Sequence, residues 1–396
     1  MPPAILPRSP PPLMEELVEE ILLRLPPDEP AHLFRAAAVC KAWRTMLSDS
    51  SGSGFLRRYR KFHGTPPMLG YIHTTYNYNR PHFVATTSTA FPPSLSLAIP
   101  VAVNVSWEVL DCRRGRVLMY HAYSTSCLVF VIWDPIITGS ARKHVVALHG
   151  RNLHTLAAAV MCARDGCDHL DCHGGPFRLV LVEKLFVSGE DVVRASIYSS
   201  VTDAWTTVSD SIVLDHFEPV NGSRSLLIRD ALYFSFNSGR ILTNTLHLKY
   251  DLGSHGLSVI DTSGVRWDAL AIKAEDGGLG FTAVLEDNCI YLWSWKQYDG
   301  GRSANGTTSG GGGGRWARHM AINLNKLASL PTHCARSFQS RLVGYIEGTD
   351  TIFVCAYNTT AFTLDLKSRL VRKVNAEAHD HCRIIPYMSF YTPGII

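Results

Sequence analysis

The chain has 396 residues, of which 46% are hydrophobic and 18% charged; this excludes a disordered chain and supplies enough apolar material for one small domain and one large one. Its 38 Lys and Arg against 34 Asp and Glu leave a formal charge of +4, too thin a field to hold a phosphate backbone, so nucleic acid is not an expected partner. The longest apolar runs, such as Cys127–Trp133, fall far short of the roughly 20 residues that span a bilayer, so no membrane segment is expected.

Residues 1–12 are proline-rich and are expected to be a disordered tail, with no apolar run of the length a secretory signal needs. The ten cysteines are therefore expected to be reduced, in a protein of the cytoplasm or nucleus. Residues 14–27 (MEELVEEILLRLPP) place Leu17, Val18, Ile21, Leu22 and Leu25 at helical spacing, with Glu15, Glu16, Glu19 and Glu20 on the other side. Pro26 and Pro27 stop that helix. The next segment, 28–49, opens on Asp28 as a candidate cap, has Pro30 in its first turn, and carries Leu33, Phe34, Ala37, Val39, Cys40, Trp43 and Leu47. Two or three short helices are expected. Spacing alone equally allows a small helical unit that merely packs on the rest of the chain.

The order of residues is more specific. Leu13, Glu15-Glu16, Leu17, Glu20-Ile21-Leu22, Arg24-Leu25-Pro26-Pro27, Leu33, Val39-Cys40-Lys41 and Trp43-Arg44 resemble the F-box motif along its whole length, and Phe55-Leu56-Arg57-Arg58-Tyr59 continues it in the manner of plant members. The resemblance implies a helical domain over 13–62 that binds a Skp-type adaptor, itself bridged to a cullin. It carries the adaptor-contacting positions over to Leu13, Leu17, Ile21, Leu25, Pro26, Val39, Cys40 and Trp43. The chain departs at Met14, where the family usually has proline, and at Pro30-Ala31-His32, where a more polar entry is common. Flexible and apolar, Met14 suits the same kind of pocket. The basic run Arg57, Arg58, Arg60, Lys61 is expected to be the solvated end of a helix.

From about residue 71 to 391 the pattern changes to short runs rich in Val, Ile, Leu and aromatic residues, bounded by Gly, Asp, Asn and Ser; expected strands include 117–120, 127–133, 177–182, 192–199, 231–236, 289–295, 351–356 and 361–366. Such spacing denotes a sandwich, a barrel or a propeller. A recurrence selects among them. Apolar strand ends run into a polar turn at Trp133-Asp134-Pro135, Tyr198-Ser199-Ser200, Tyr250-Asp251-Leu252 and Leu364-Asp365-Leu366. With one further turn left unmarked the interval is roughly 58 residues, near the kelch period, and implies a kelch-like β-propeller of roughly five to six blades behind the small all-α domain. Gly115-Arg116-Val117-Leu118, Trp133-Asp134-Pro135 with Thr138-Gly139, Tyr198-Ser199-Ser200 before Trp205, Ala231-Leu232-Tyr233 and Leu366-Lys367-Ser368 resemble the C-terminal regions of grass F-box proteins. Residues 297–315, which hold Gly310 to Gly314, are expected to form a disordered loop.

Cys162, Cys167, His169, Cys172 and His173 fall within twelve residues. Thiolate and imidazole suit tetrahedral zinc, and such a set would fold a loop that has no core of its own. Against this, no Cys-x-x-Cys pair is present, and coordination by both Cys172 and its neighbour His173 would be cramped. No other cofactor is expected. HExxH, Gly-x-Ser-x-Gly and P-loop motifs are absent, and Gly278, Gly280 and Ala283 mimic a dinucleotide fingerprint but run into a strand where a helix is required. The expected function is a non-catalytic one: the substrate-recognition subunit of a Skp–cullin–F-box ubiquitin ligase, with a target protein held by propeller loops. The rival reading is a propeller scaffold or ligand-binding protein outside any ligase.

Overall fold

The computed structural model describes residues 14–48, 54–74, 81–86, 105–124, 127–137, 143–149, 155–170, 172–208, 210–213, 219–222, 225–238, 245–297, 314–327, 340–356, 360–377 and 383–393. The proline-rich tail, Leu13 and most of the glycine-rich segment lie outside them.

Four short helices open the fold: α1 (Glu15–Leu23), α2 (Ala31–Val39), α3 (Lys41–Met46) and α4 (Phe55–His63). Helices of six to nine residues are marginal alone, so a shared core holds them: Val18, Leu22, Leu23, Leu33, Ala36, Ala37, Leu47, Phe55, Leu56 and Tyr59, joined by Phe390 from the far end of the chain. Tyr59 donates from its hydroxyl to the Leu25 carbonyl at 2.8 Å and His63 Nε2 donates to the Leu23 carbonyl at 3.0 Å, covering groups that the end of α1 leaves without helical partners. Asp28 is not the cap of α2. That position falls to Pro30, whose fixed φ of −58° already suits the helix. α2 and α3 are separated at Cys40, which is extended at φ −155° and caps α3 by accepting from the Trp43 N–H through its sulfur.

The remaining strands form six sheets. β1 (Met68–Thr74) and β2 (Pro81–Ala85) begin the first. The second is β3 (Glu108–Arg113), β4 (Arg116–Ser124), β5 (Cys127–Trp133) and β6 (Lys143–His149). The third is β7 (Thr155–Cys162), β8 (Phe177–Val187), β9 (Glu190–Ser199), β10 (Ala204–Thr207) and β11 (Ile212–Val213). The fourth is β12 (Pro219–Gly222), β13 (Leu226–Ile228), β14 (Ala231–Ser238), β15 (Thr245–Asp251) and β16 (Leu257–Ile260). The fifth is β17 (Leu270–Lys273), β18 (Leu279–Val284), β19 (Cys289–Gln297) and β20 (Gly314–Asn323); the sixth is β21 (Arg341–Ile346), β22 (Thr351–Ala356), β23 (Thr360–Asp365) and β24 (Val371–Glu377). The last strand, β25 (Arg383–Met388), returns to pair antiparallel with β1, from Met68 opposite Met388 to Thr74 opposite Arg383. The innermost strands adjoin in turn, β25 to β3, β7, β12, then β13 to β17, β21 and back to β25. This is a closed six-bladed β-propeller. Among the described residues no helix is long and apolar enough to cross a membrane.

The recurring turns have a structural meaning. Asp134 follows β5, while Ser199, Asp251 and Asp365 close β9, β15 and β23. Each is the end of a blade's third strand. Asp251 accepts from the N–H groups of Gly253 and Ser254, and Asp365 from those of Lys367 and Ser368, so a carboxylate closes the turn that reverses the chain into the outer strand. The unmarked connection is the one between β19 and β20. Gln297 belongs to β19 and Gly314 and Arg315 to β20, so that segment is shorter than composition implied.

Blades stack face to face through apolar residues, for example Phe130, Ile132 and Leu148 of the second on Ala158, Leu179 and Tyr198 of the third. Near the axis the tie is ionic. The Arg113 guanidinium donates to Asp111 Oδ2 at 2.8 Å, to Glu347 Oε1 at 2.8 Å and to the Ser225 carbonyl at 3.0 Å. Asp111 Oδ2 accepts from the Val160 N–H and Glu347 Oε1 from the Leu227 N–H, so blades two, three, four and six share one network. Arg113 is fully enclosed, yet the carboxylates of Asp111 and Glu347 outweigh that burial and hold its pKa above the usual value. Replacing Arg113 with Leu strands two carboxylates. We expect a loss of about 3–5 kcal/mol in urea unfolding, with the transition kept cooperative.

His247 is buried in the fourth blade, bonded through Nδ1 to Ser235 Oγ at 2.8 Å, with its ring edge-on to Phe281 of the fifth. Burial lowers its pKa to about 4, so on acidification the unfolded chain takes up the proton first. Its neutral-state stabilisation is complete above about pH 6.5 and is lost as pH falls toward 4. Between pH 7 and 4.5 we expect this one group to remove about 2 kcal/mol, and His247→Gln to flatten the pH dependence of the urea midpoint by that amount.

Candidate functional site

The apolar residues of α1 divide into two stripes. Val18, Leu22 and Leu23 face the helical core, whereas Met14, Leu17 and Ile21, at spacings of three and four, face outward. Leu17 is 47% exposed and Ile21 55%, values that leave a contiguous apolar ridge on a helix of nine residues. Leu25 is half-buried against the helical core, Pro26 is exposed, Val39 and Cys40 are exposed, and Trp43 is half-buried against the same core. The eight expected contact positions therefore separate into outward residues (Leu17, Ile21, Pro26, Val39, Cys40) and two shared with the core (Leu25, Trp43), with Leu13 outside the described residues. Arg58 ties α4 to α1 through Glu19 and Glu20, surface pairs each contributing at most about 1 kcal/mol.

Behind this ridge the helices are bolted to the propeller. Phe390 enters the helical core, its ring edge-on to Tyr59, while Phe34 lies 4.9 Å from Tyr391. Arg60 donates to Thr392 Oγ1 at 3.2 Å and is buried, in contrast to the solvated helix end expected for that basic run. Burial, and then the charge of Asp28, push the Tyr59 phenol up, so it remains a donor.

The Cys/His loop, residues 163–176 between β7 and β8, meets the same junction. Cys162, Cys167, His169 and Cys172 converge, their ligand atoms all within 4.8 Å of one another. Cys167 Sγ lies 3.8 Å from Cys172 Sγ, and Cys172 Sγ 3.6 Å from His169 Nδ1. Burial, followed by the charge of Arg114, lowers the His169 pKa and favours the neutral ring. Burial, followed by the nearby Cys162 sulfur, pushes the Cys172 thiol up. His173 does not join them. It bridges Asp134 Oδ2 at 2.6 Å and Ser389 Oγ at 2.8 Å. Across the loop, Arg57 and Arg60 of α4 face Arg164, Asp165, Gly166, Cys167, Asp168 and Leu170 over an open cleft of ≈350 Å³, spanned by Arg57 and Asp168 at 3.8 Å.

Asp134, His173 and Ser389 reproduce the hydrogen-bond order of a hydrolytic triad. Access decides against that chemistry. Ser389 is 3% exposed inside the domain junction, its hydroxyl also faces the Phe390 carbonyl, and no acyl group can reach it. The trio instead stitches the second blade, the Cys/His loop and the segment after β25 together. Sequence reasoning missed it because Ser389 lies 216 positions beyond His173, itself 39 beyond Asp134.

With this geometry in place, the class of molecule is a helical module fixed to a closed six-bladed propeller. Residues 13–51 match the family model of the F-box domain, so α1 to α3 lie in an F-box domain, and α4 follows the matched segment. No curated protein matches the chain. Among solved structures, the chain is similar to the GH93 α-L-arabinofuranosidase of Fusarium graminearum in complex with arabinobiose (12% identity, 72% of this chain and 82% of that one, TM-score 0.33). It is similar also to Sqt1 of Saccharomyces cerevisiae (10%, 70% and 64%, TM-score 0.36) and to the β-propeller domain of the Trilobed protease from Pyrococcus furiosus (9%, 76% and 73%, TM-score 0.33). Likeness this remote adds nothing to the strand order already described.

Gly115, in the turn between β3 and β4, has φ +79°, and a Cβ there would collide with the His173 ring. Gly189 has φ +91° with open space around it. Gly115→Ala is expected to cost about 2–4 kcal/mol through strain plus overpacking, and Gly189→Ala about 1–2 kcal/mol through strain alone, as measured by urea unfolding of both variants.

Proposed function

We propose that this protein is the substrate-recognition subunit of a Skp–cullin–F-box ubiquitin ligase, of the plant type with a kelch-like propeller, acting in the cytoplasm or nucleus. The observation that carries this reading is the ridge of Met14, Leu17 and Ile21, turned out of a helical core that is complete without it. A folded domain gains nothing by displaying such a ridge unless another polypeptide covers it. The F-box match supports a Skp-type adaptor as that polypeptide, with Leu13, Leu25, Pro26, Val39, Cys40 and Trp43 flanking the ridge. The target protein is held by propeller loops. Its capture is positional: one rigid body holds target and adaptor at a fixed separation and raises the local concentration of target lysines near the ubiquitin-charged enzyme. On this reading the chemistry takes place on other subunits, and this chain positions its two partners.

The test is capture by a Skp-type adaptor with purified full-length chain, wild type against Leu17→Asp/Ile21→Asp. Both side chains are exposed, so the variant should unfold within about 0.5 kcal/mol of wild type. Losing two apolar anchors should weaken adaptor binding by about 3 kcal/mol, on the order of a hundredfold. Absence of adaptor binding by the wild type would instead favour a propeller scaffold outside any ligase.

A further inference from the structure

We propose that Cys162, Cys167, His169 and Cys172 form a tetrahedral zinc site that fixes the loop facing α4. A zinc ion about 2.3 Å from sulfur and about 2.0–2.1 Å from nitrogen, at tetrahedral angles, sets two thiolates about 3.8 Å apart and a thiolate and an imidazole about 3.6 Å apart. The Cys167–Cys172 and Cys172–His169 separations are 3.8 and 3.6 Å. All four donor atoms fall within 4.8 Å of one another. The set spans the end of β7 and the loop, so coordination closes a stretch whose described residues between Ala163 and Pro176 belong to no strand or helix.

The surroundings suit the metal's charge. Three thiolates and one Zn²⁺ sum to a net negative centre, which burial would penalise without a cation nearby. Arg116, buried in the neighbouring blade, donates to the carbonyls of Cys172 and Gly175, and Arg114 donates to the carbonyl of His169 at 3.2 Å. The His169 N–H also points at Cys167 Sγ, 3.4 Å away, a bond that strengthens when the sulfur is a thiolate. Three soft sulfurs with one imidazole select zinc over the hard divalent cations. His173 is excluded because both of its ring nitrogens are engaged by Asp134 and Ser389. The site is independent of the ligase reading, yet it meets the helical module: Asp168, between two ligands, pairs with Arg57 of α4.

The test uses the full chain, freed of any histidine tag and purified without chelator. Elemental analysis should find one zinc per chain, and exchange for Co²⁺ should give the visible d–d and sulfur-to-cobalt bands of a tetrahedral Cys₃His centre. Cys167→Ser/Cys172→Ser should lose the zinc, and His173→Ala should keep it. A folded wild type without stoichiometric metal overturns the proposal, as does zinc retained by the double Cys variant, or a mass lower by two hydrogens that reports a Cys167–Cys172 disulfide. If the double variant fails to fold, the zinc content and cobalt spectrum of the wild type still decide. Loss of zinc in His173→Ala would overturn the four-ligand assignment.

Discussion

The pairing of β25 with β1 brings the last strand of the chain beside the first strand of the propeller, and almost every other feature depends on where that pairing puts the residues after it. β25 is the innermost strand of the first sheet, so the backbone groups of β1 that would otherwise lack a ladder partner are satisfied by a strand more than 300 positions away. The chain leaves β25 as Ser389, Phe390, Tyr391 and Thr392, all buried. Each meets a different part of the junction: Ser389 meets His173, Phe390 the helical core, Tyr391 the Phe34 ring, and Thr392 the Arg60 guanidinium. The F-box domain is thus seated on the closure itself. Opening the ring would remove the aromatic side chain that completes the helical core, a contribution of about 1.5–3 kcal/mol for a ring of that size.

The polar network near the axis plays a different part from the apolar faces between blades. Stacked faces resist separation, but they tolerate sliding, because apolar contacts are not directional. Arg113 is directional. Its planar fork addresses Asp111 on its own strand, Glu347 across the ring and the Ser225 carbonyl between them, and each carboxylate also takes a backbone N–H from another blade. Burying three charges is costly unless their geometry is satisfied together. The network therefore exists only in one register of the blades, which is how a polar centre specifies a structure that apolar stacking merely stabilises.

Much of this architecture was legible in the sequence because its signals are local. The strands that alternate or run apolar between Asp, Gly and Ser turns are where spacing placed them, and the Asp turns mark third strands because the carboxylate must reach the next two or three N–H groups. The fifth blade lacked its mark because the sequence between β19 and β20 is glycine-rich and carries no such strand end. The two-sidedness of α1 was not legible: Leu17 and Val18 are equally apolar, and only the packing of Leu22 and Leu23 on α4 residues decides which faces inward. Likewise the burial of Arg60 and the bridging role of His173 depend on Thr392 and Ser389, whose proximity is a product of ring closure. Four of the five Cys and His residues bring their ligand atoms within 4.8 Å of one another. The fifth was diverted by an aspartate 39 positions earlier.

Rigidity at the junction bears directly on what such a molecule can do. If a flexible linker joined the helical module to the propeller, the distance from adaptor to target would be a distribution, and effective concentration would fall as that distribution broadened. Here the helices are held from two sides. Phe390, Tyr391 and Thr392 hold them from the first blade, and the Cys/His loop meets α4 from the third through Asp168 and Arg57. The first is a packed apolar and hydrogen-bonded contact, and the second an exposed ion pair that contributes at most about 1 kcal/mol. On the proposed reading, the separation between the adaptor ridge on α1 and the target-holding loops is therefore a property of the fold, set by residues that touch neither partner.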